Sequence, residues 1–246
     1  MTSSTSGIPV LLALKRDLIC GYHILDHDGQ ASGIAGHLSA RLPGANTFWS
    51  HRWGHTFGEV RATDLQEADF DLNPVSGDGA VNPTMHIHTR IYLARPDVNC
   101  IVHTHGSGVL ALSAVGGRIE MCTQPAAIFL DEIDHFDEYE GVVLGKGEGD
   151  ILASALGGRR GLVLRQHGQL IAGGSIGEAV FLAVRLEFVA RIQLAAMQTG
   201  RPLEIMLAAM ARQAHGFFWK SDNIRLQWAA LQREILRCRP GILDGL

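Results

Sequence analysis

The chain has 246 residues, 46% of them hydrophobic, and a formal net charge of −4 at pH 7. That is enough apolar material for one large core, and the charge balance gives no reason to expect nucleic acid or an anionic membrane as partner. Its four cysteines (Cys20, Cys100, Cys122, Cys238) are widely spaced with no CxxC pair, which suits a reducing compartment and argues against a disulfide framework.

The one apolar run near the N-terminus, Ile8 to Leu14, is followed by Lys15-Arg16-Asp17. That is the wrong order for a signal peptide, and no other run is long enough to span a bilayer, so the expectation is a soluble cytoplasmic protein. Without a Pro- or Ser-rich linker or an internal repeat, residues 1–246 read as one domain with a helical segment from about 201.

Apolar positions at helical spacing predict a helix over Val10–His27. Gly33 to Arg41 alternates and predicts a strand approached through flexible glycines, and Thr47 to Trp53 predicts a second, with Gly54 and Gly58 marking a turn. Asn82-Pro83 starts a helix that runs to Ala94 and is stopped by Arg95-Pro96-Asp97. A buried strand over Asn99–Thr104 follows, then short helices near Gly108–Ala114 and Glu148–Leu156. Gly161–Gln166 and Gln169–Ala172 read as strands. From Ser175 to Gln198 apolar residues recur on one face (Val180, Val184, Phe188, Ile192), and Ser175 with Glu178 matches a capping box. The remainder is helical, with Gly216 as a break. Strands and helices mix without strict alternation. The pattern predicts an α/β fold with a mixed or mainly antiparallel sheet layered with helices.

Twelve histidines are present, and three stand out. Residues two apart on a strand share a face, so His103 and His105 point the same way at the end of an apolar strand. His167 repeats the pattern after Gly161–Gln166, and each group is followed by glycine, Gly106 or Gly168. Two strand ends delivering three imidazoles make an open, three-ligand metal site, with the glycines leaving room for substrate. His86 and His88 diverge by about 200° on a helix and cannot chelate together. His88 reads as a packed or supporting residue and His86 as more exposed. His23, His27, His51, His55 and His135 read as surface or loop residues, whereas His37 stands apart in its glycine-flanked strand.

With these residues in view, the chain resembles the class II aldolase/adducin family. Gly36-His37-Leu38-Ser39-Ala40-Arg41 is similar to that family's GNxSxR stretch, Arg95-Pro96-Asp97 through His105 to its RPDxxxxxHxH block, and Gln166-His167-Gly168 to its third-histidine motif. The resemblance implies an α/β/α sandwich around a mainly antiparallel sheet, assembled as a homotetramer with active sites between subunits. It also implies a divalent metal, Zn²⁺ or Mn²⁺, on His103, His105 and His167.

The departures from the sugar-phosphate aldolases are equally informative. Thr84 occupies the place of their glutamate base, and a hydroxyl is far too weakly basic to remove a carbon-bound proton. His37 replaces an asparagine, Trp53 stands beside Gly54, and Asn82-Pro83 replaces a serine pair in the phosphate pocket. The proton-donating tyrosine is replaced by Gln124-Pro125-Ala126-Ala127.

Decarboxylation needs an electron sink but no prior C–H abstraction, and the His at position 37 resembles the family's decarboxylase branch. The expected substrate is a hydroxylated aromatic or pyridine carboxylate. His37 and Thr84 are the candidate catalytic residues, His37 as an imidazolium donor or carboxylate anchor and Thr84 orienting water or substrate. Arg41, Gly54 and Asn82 are the candidate substrate contacts. Two alternatives remain: a retro-aldol lyase or epimerase, with a base drawn from the acidic loop of Glu132, Asp134 and Tyr139, and a non-enzymatic adducin-like interaction module. His215 to Lys220 is a candidate aromatic lid.

Overall fold

A computed structural model gives the structure and describes residues 7–138, 141 and 144–246. Helix α1 (Gly7–His27) is followed by four strands, β1 (His37–Ala40), β2 (Thr47–His51), β3 (Leu65–Asp69) and β4 (Pro74–Ser76). Then come α2 (His86–Ala94), β5 (Cys100–Thr104), α3 (Ser107–Ala114), β6 (Ile133–Phe136), α4 (Lys146–Leu156), β7 (Gly161–Leu164) and β8 (Gly168–Gly173). Helices α5 (Ile176–Met197), α6 (Ala208–Phe218) and α7 (Ser221–Cys238) complete the chain.

The strands form one sheet in the order β4-β3-β2-β1-β5-β8-β7-β6. Every pairing is antiparallel except β6–β7, whose parallel connection runs through α4. Alternation along the central strands sorts side chains onto two faces. Cys100 and Val102 of β5, Leu38 and Ala40 of β1 and Ile171 of β8 pack with α1, α3 and α5. Ile101 of β5 and Leu170 and Ala172 of β8 face the other way, onto Ile87, Ile91 and Tyr92 of α2 and Leu152 and Leu156 of α4. The result is the α/β/α sandwich that the family resemblance implied. Each fully buried Leu or Ile contributes roughly 2 kcal/mol of transfer free energy, before chain entropy is subtracted.

The element boundaries show where local signals were overridden. The strand expected from Gly33 shrinks to His37–Ala40 because Gly33 and Gly36 adopt positive φ (61° and 89°) and turn the chain into the sheet. Pro83 opens a single 3₁₀ turn, Pro83–Met85, before α2 proper. Ser175 caps α5 through Glu178 N–H at 3.2 Å, but the Glu178 carboxylate returns to Gly174 N–H at 3.3 Å, one residue before the expected partner.

Helix α5 is apolar almost all round. Its buried side follows Ala179, Ala183, Leu186 and Ala190, while Phe188, expected inside, is 43% exposed. Gly216 lies within α6, and the helical break falls at Trp219–Lys220. Among the described residues, no helix is long and apolar enough to cross a membrane.

Two histidines expected at the surface are interior. His23 on α1 is buried, with Nε2 2.9 Å from the Val60 carbonyl. His51 at the end of β2 places Nδ1 and its backbone N each 2.9 Å from the Tyr22 hydroxyl, which itself donates to the Leu38 carbonyl. The phenolic proton is used on Leu38, so His51 donates from Nδ1. Burial pushes the His51 imidazole down to about 4, from an unfolded value near 6.5.

Between those two values the unfolded chain binds a proton at His51 that the native chain refuses, so stability falls as pH falls through this window. For His51 alone the expected loss between pH 7 and pH 4 is about 3 kcal/mol. Urea unfolding of the chelator-treated protein at several pH values checks this, and His51→Asn should flatten the slope.

Candidate active site

Strand register builds the site. β5 runs antiparallel to β8 with His103 opposite Leu170 and Thr104 opposite Gln169. β7 and β8 form a hairpin joined by Arg165–His167, in which Gln166 takes φ +55°, the left-handed residue that a three-residue hairpin loop requires. The end of β5 and the tip of this hairpin therefore arrive side by side. The ring centroids of His103, His105 and His167 form a nearly equilateral triangle of 4.8, 4.7 and 4.9 Å. One nitrogen from each ring lies within 4.8 Å of the others.

A second layer of hydrogen bonds orients two of these rings. His103 Nδ1–H donates to the Gln169 carbonyl at 3.0 Å, which leaves Nε2 for a ligand. His105 Nδ1 lies 2.8 Å from Ser32 Oγ, and Ser32 passes its own proton to the Ala35 carbonyl at 3.4 Å. Burial holds His103 well below the ordinary histidine range and lowers His105, while His167 is pushed down to about 4. All three imidazoles are thus neutral at pH 7. Neutral rings with converging nitrogens, two of them anchored from behind, fit a divalent first-row cation with open positions for substrate.

The two glycines serve a different purpose from the one expected. A Cβ on Gly106 would collide with the Glu187 carboxylate, and one on Gly168 with the Thr104 carbonyl. They permit close backbone approach; room for substrate is not their role. Glu187, fully buried on α5, accepts Gly108 N–H at 2.7 Å and Val109 N–H at 2.9 Å and pairs with Arg191 at 2.7 Å. It pins the start of α3 directly behind His105.

Beside the trio runs a line of polar side chains. The His37 ring centroid lies 4.9 Å from that of His103. His37 Nε2 is 2.9 Å from Thr84 Oγ1, and Thr84 reaches Asn82 Oδ1 at 2.7 Å. His37 Nδ1 is 2.8 Å from His88 Nε2, His88 Nδ1 is 2.6 Å from Ser39 Oγ, and Ser39 is 2.8 Å from the Tyr92 hydroxyl. His88 is therefore a buried supporting residue, as its helical position suggested.

The imidazolium role expected of His37 does not fit. Burial and the neighbouring rings of His88, His51, His105 and His167 hold it well below the ordinary range, and both ring nitrogens are engaged.

Of the other candidates, Asn82 and Thr84 meet this line at His37, beside the trio, whereas Arg41 meets only its far end at Tyr92. Arg41 follows the far end of β1, where its guanidinium binds the Val98 and Arg95 carbonyls at 2.9 and 3.0 Å and lies 4.7 Å over the Tyr92 ring. Gly54 sits in an exposed turn with φ +96°, tied to the Asn82 segment through Trp53 N–H on the Ala80 carbonyl. Glu132, just before β6, and Asp134, within it, lie at the end of the β6–β7 pair away from His167 and are committed to His215 and Arg159. Tyr139 lies outside the described residues. Trp219 packs toward Ile128 in the 3₁₀ segment Gln124–Phe129, donating to its carbonyl at 2.9 Å, which makes Trp219 part of the helical layer.

Sequence reading missed Ser32, Ser39 and Tyr92. Two of these carried a signal: Ser39 shares a strand face with His37, and Tyr92 stands four residues after His88 on α2.

A mainly antiparallel sheet between helical layers, with three imidazoles converging at one strand end, defines an α/β/α protein built around a candidate metal centre. Residues 16–194 match the family described as Class II Aldolase and Adducin N-terminal domain, and the chain belongs to that family. It is 32% identical over 210 residues to decarboxylase NovR from Streptomyces niveus, covering 82% of this chain and 77% of that one. It is 31% identical over 197 residues to a Streptomyces roseochromogenus subsp. oscitans protein named 4-hydroxy-3-prenylphenylpyruvate oxygenase/4-hydroxy-3-prenylbenzoate synthase, covering 77% and 71%. Among solved structures, an aldolase II superfamily protein from Pseudomonas syringae superposes with a TM-score of 0.87 at 27% identity, covering 95% of this chain and 96% of that one.

Replacing His103 and His105 together by alanine should abolish stoichiometric metal measured by elemental analysis, with the fold retained by circular dichroism. Arg41→Ala, by contrast, should cost about 2 kcal/mol of stability through two lost hydrogen bonds and one stacked ring, yet leave the metal content unchanged.

Proposed function

We propose that the protein is a metal-dependent decarboxylase, a carbon–carbon lyase acting on a hydroxylated aromatic or pyridine carboxylate. One observation carries this reading: among the described residues of the chain, the groups beside the histidine trio offer no general base. Thr84 stands where an aldolase base is expected, and His37 has both nitrogens engaged. Glu187, the carboxylate that approaches Gly106, is spent on the α3 amides and Arg191. Chemistry that begins with C–H abstraction finds no acceptor among these described groups, whereas loss of CO₂ does not require one.

His103, His105 and His167 would hold the cation, Zn²⁺ or Mn²⁺. When bound there it supplies a Lewis-acid sink for the electron pair released from the breaking C–C bond. The chain's own contribution is to hold three neutral imidazoles in place through Gln169 and Ser32, and to present Thr84 and Asn82 as a polar wall against which the ring is oriented. The two relatives' names, a decarboxylase and a hydroxyaryl oxygenase/synthase, both concern chemistry compatible with such a substrate.

The same reading retains a cytoplasmic homotetramer with sites between subunits. Free thiols at all four cysteines support the compartment. Leu207, just before α6, and Met210 and Phe217 on it, each more than half exposed, support a covered apolar face.

The test is CO₂ release from a panel of ortho-hydroxy aromatic and pyridine carboxylates, run in air and under argon. Activity should vanish with a chelator, return with Zn²⁺ or Mn²⁺, and place one solvent deuterium on the vacated ring carbon. An absolute requirement for O₂ would move the reaction to oxidative cleavage. Cleavage of a sugar phosphate with no CO₂ from any acid would overturn the reading.

A further inference from the structure

The polar chain beside the trio has a direction, and its end fixes it. Asn82 Oδ1 accepts the backbone N–H of Thr84 at 3.0 Å, so this atom is the carboxamide oxygen and cannot donate. Thr84 Oγ1, 2.7 Å away, must give its hydroxyl proton to it. The 2.9 Å contact between Thr84 and His37 is then a bond donated by His37 Nε2–H. A neutral imidazole protonated at Nε2 carries a lone pair on Nδ1, so His88 Nε2–H donates to His37 at 2.8 Å. By the same rule His88 Nδ1 accepts the Ser39 hydroxyl at 2.6 Å, and Ser39 Oγ accepts the Tyr92 hydroxyl at 2.8 Å. Each group spends its one proton once. With both rings neutral, reversing any bond leaves another without a proton.

This polarity decides what Thr84 can offer. A hydroxyl oxygen has one proton and two lone pairs. The Thr84 proton goes to Asn82 and one lone pair to His37, so a ligand finds only the second lone pair. An anionic oxygen placed there would meet lone pair against lone pair, whereas an O–H would be taken. Tyr92, Ser39 and His88 are all buried and out of reach of the trio's open side, so they act through His37.

We infer that Asn82, by taking the Thr84 proton, makes Thr84 a hydrogen-bond acceptor toward a ligand, and that Tyr92, Ser39 and His88 are positioning residues that lock His37 as its Nε2–H form. The site then selects a ring that presents a second hydroxyl as donor to Thr84, besides the carboxylate that is lost. The substrate class is a dihydroxylated aromatic or pyridine carboxylate, which rests on the decarboxylase reading. The acceptor state of Thr84 does not.

The experiment uses the zinc-loaded full chain with ¹⁵N-labelled histidine. Its probes are 2,3-, 2,4- and 2,5-dihydroxybenzoate, each paired with the methyl ether of its non-ortho hydroxyl. Nitrogen shifts should show His37 and His88 both protonated at Nε2. At least one hydroxyl probe should bind about tenfold tighter than its ether, the worth of one hydrogen bond to a buried acceptor. Thr84→Val should reduce that preference to within about twofold. Ser39→Ala removes the donor to His88 Nδ1, so it should weaken the His37 Nε2–H signal while the hydroxyl preference and the zinc content hold.

A His37 ring protonated at Nδ1, equal affinity within every pair, no binding by any probe, or a preference that survives Thr84→Val would each overturn the inference. Absence of CO₂ release with the preference intact removes the decarboxylase and leaves the acceptor site standing. CO₂ release without the preference does the reverse.

Discussion

The site depends on one side-chain-to-backbone hydrogen bond more than on any other contact. His103 Nδ1–H donates to the Gln169 carbonyl, and that carbonyl belongs to β8, whose hairpin partner carries the chain to His167. The bond that orients one imidazole is thus made by the strand that delivers another. Because side chains alternate with period two, a single-residue slip of β5 against β8 would turn His103 to the opposite face of the sheet. Register and ligand geometry are therefore one constraint. The buried network of Thr104, Gln30 and Gln169 guards it from the other face, with Thr104 Oγ1 on Gln30 Oε1 at 2.7 Å and Gln169 Nε2 on the same oxygen at 2.6 Å.

Burying so many imidazoles has a cost that the fold meets by pairing. Desolvation disfavours each charged form, so His37, His88 and His103 are held neutral in the interior. A neutral ring still carries one donor and one acceptor, and each needs a partner. The line from Tyr92 to Asn82 satisfies them in series, with the Arg41 guanidinium stacked over the Tyr92 ring at its closed end. A buried polar network of this kind specifies a single arrangement only when every member is satisfied.

Much of the fold was legible in the sequence because its signals are local. Pro83, the Arg95-Pro96-Asp97 stop and the Ser175 cap each act within a turn, and they bound the helices within a few residues. The histidine trio was legible because two apolar strands end on it. What was not legible depends on partners far along the chain. His51 and His23 read as surface residues until Tyr22 and Val60 are seen to receive them. Arg41 read as a substrate contact, but four residues of β1 carry it to the opposite end of the strand from His37. Gly106 and Gly168 read as open space, whereas the space is filled by Glu187 and by the Thr104 carbonyl. The face of α5 misled for a different reason: with core on nearly every side, apolar periodicity no longer marks one direction.

The central claim is that three neutral nitrogens from His103, His105 and His167 grip one cation. X-ray absorption at the metal edge of the protein loaded with one equivalent of Zn²⁺ measures this directly. The account predicts three imidazole nitrogens at about 2.0–2.1 Å with oxygen donors completing the sphere. A spectrum showing oxygen donors alone, or one unchanged when His167 is replaced by alanine, would contradict it.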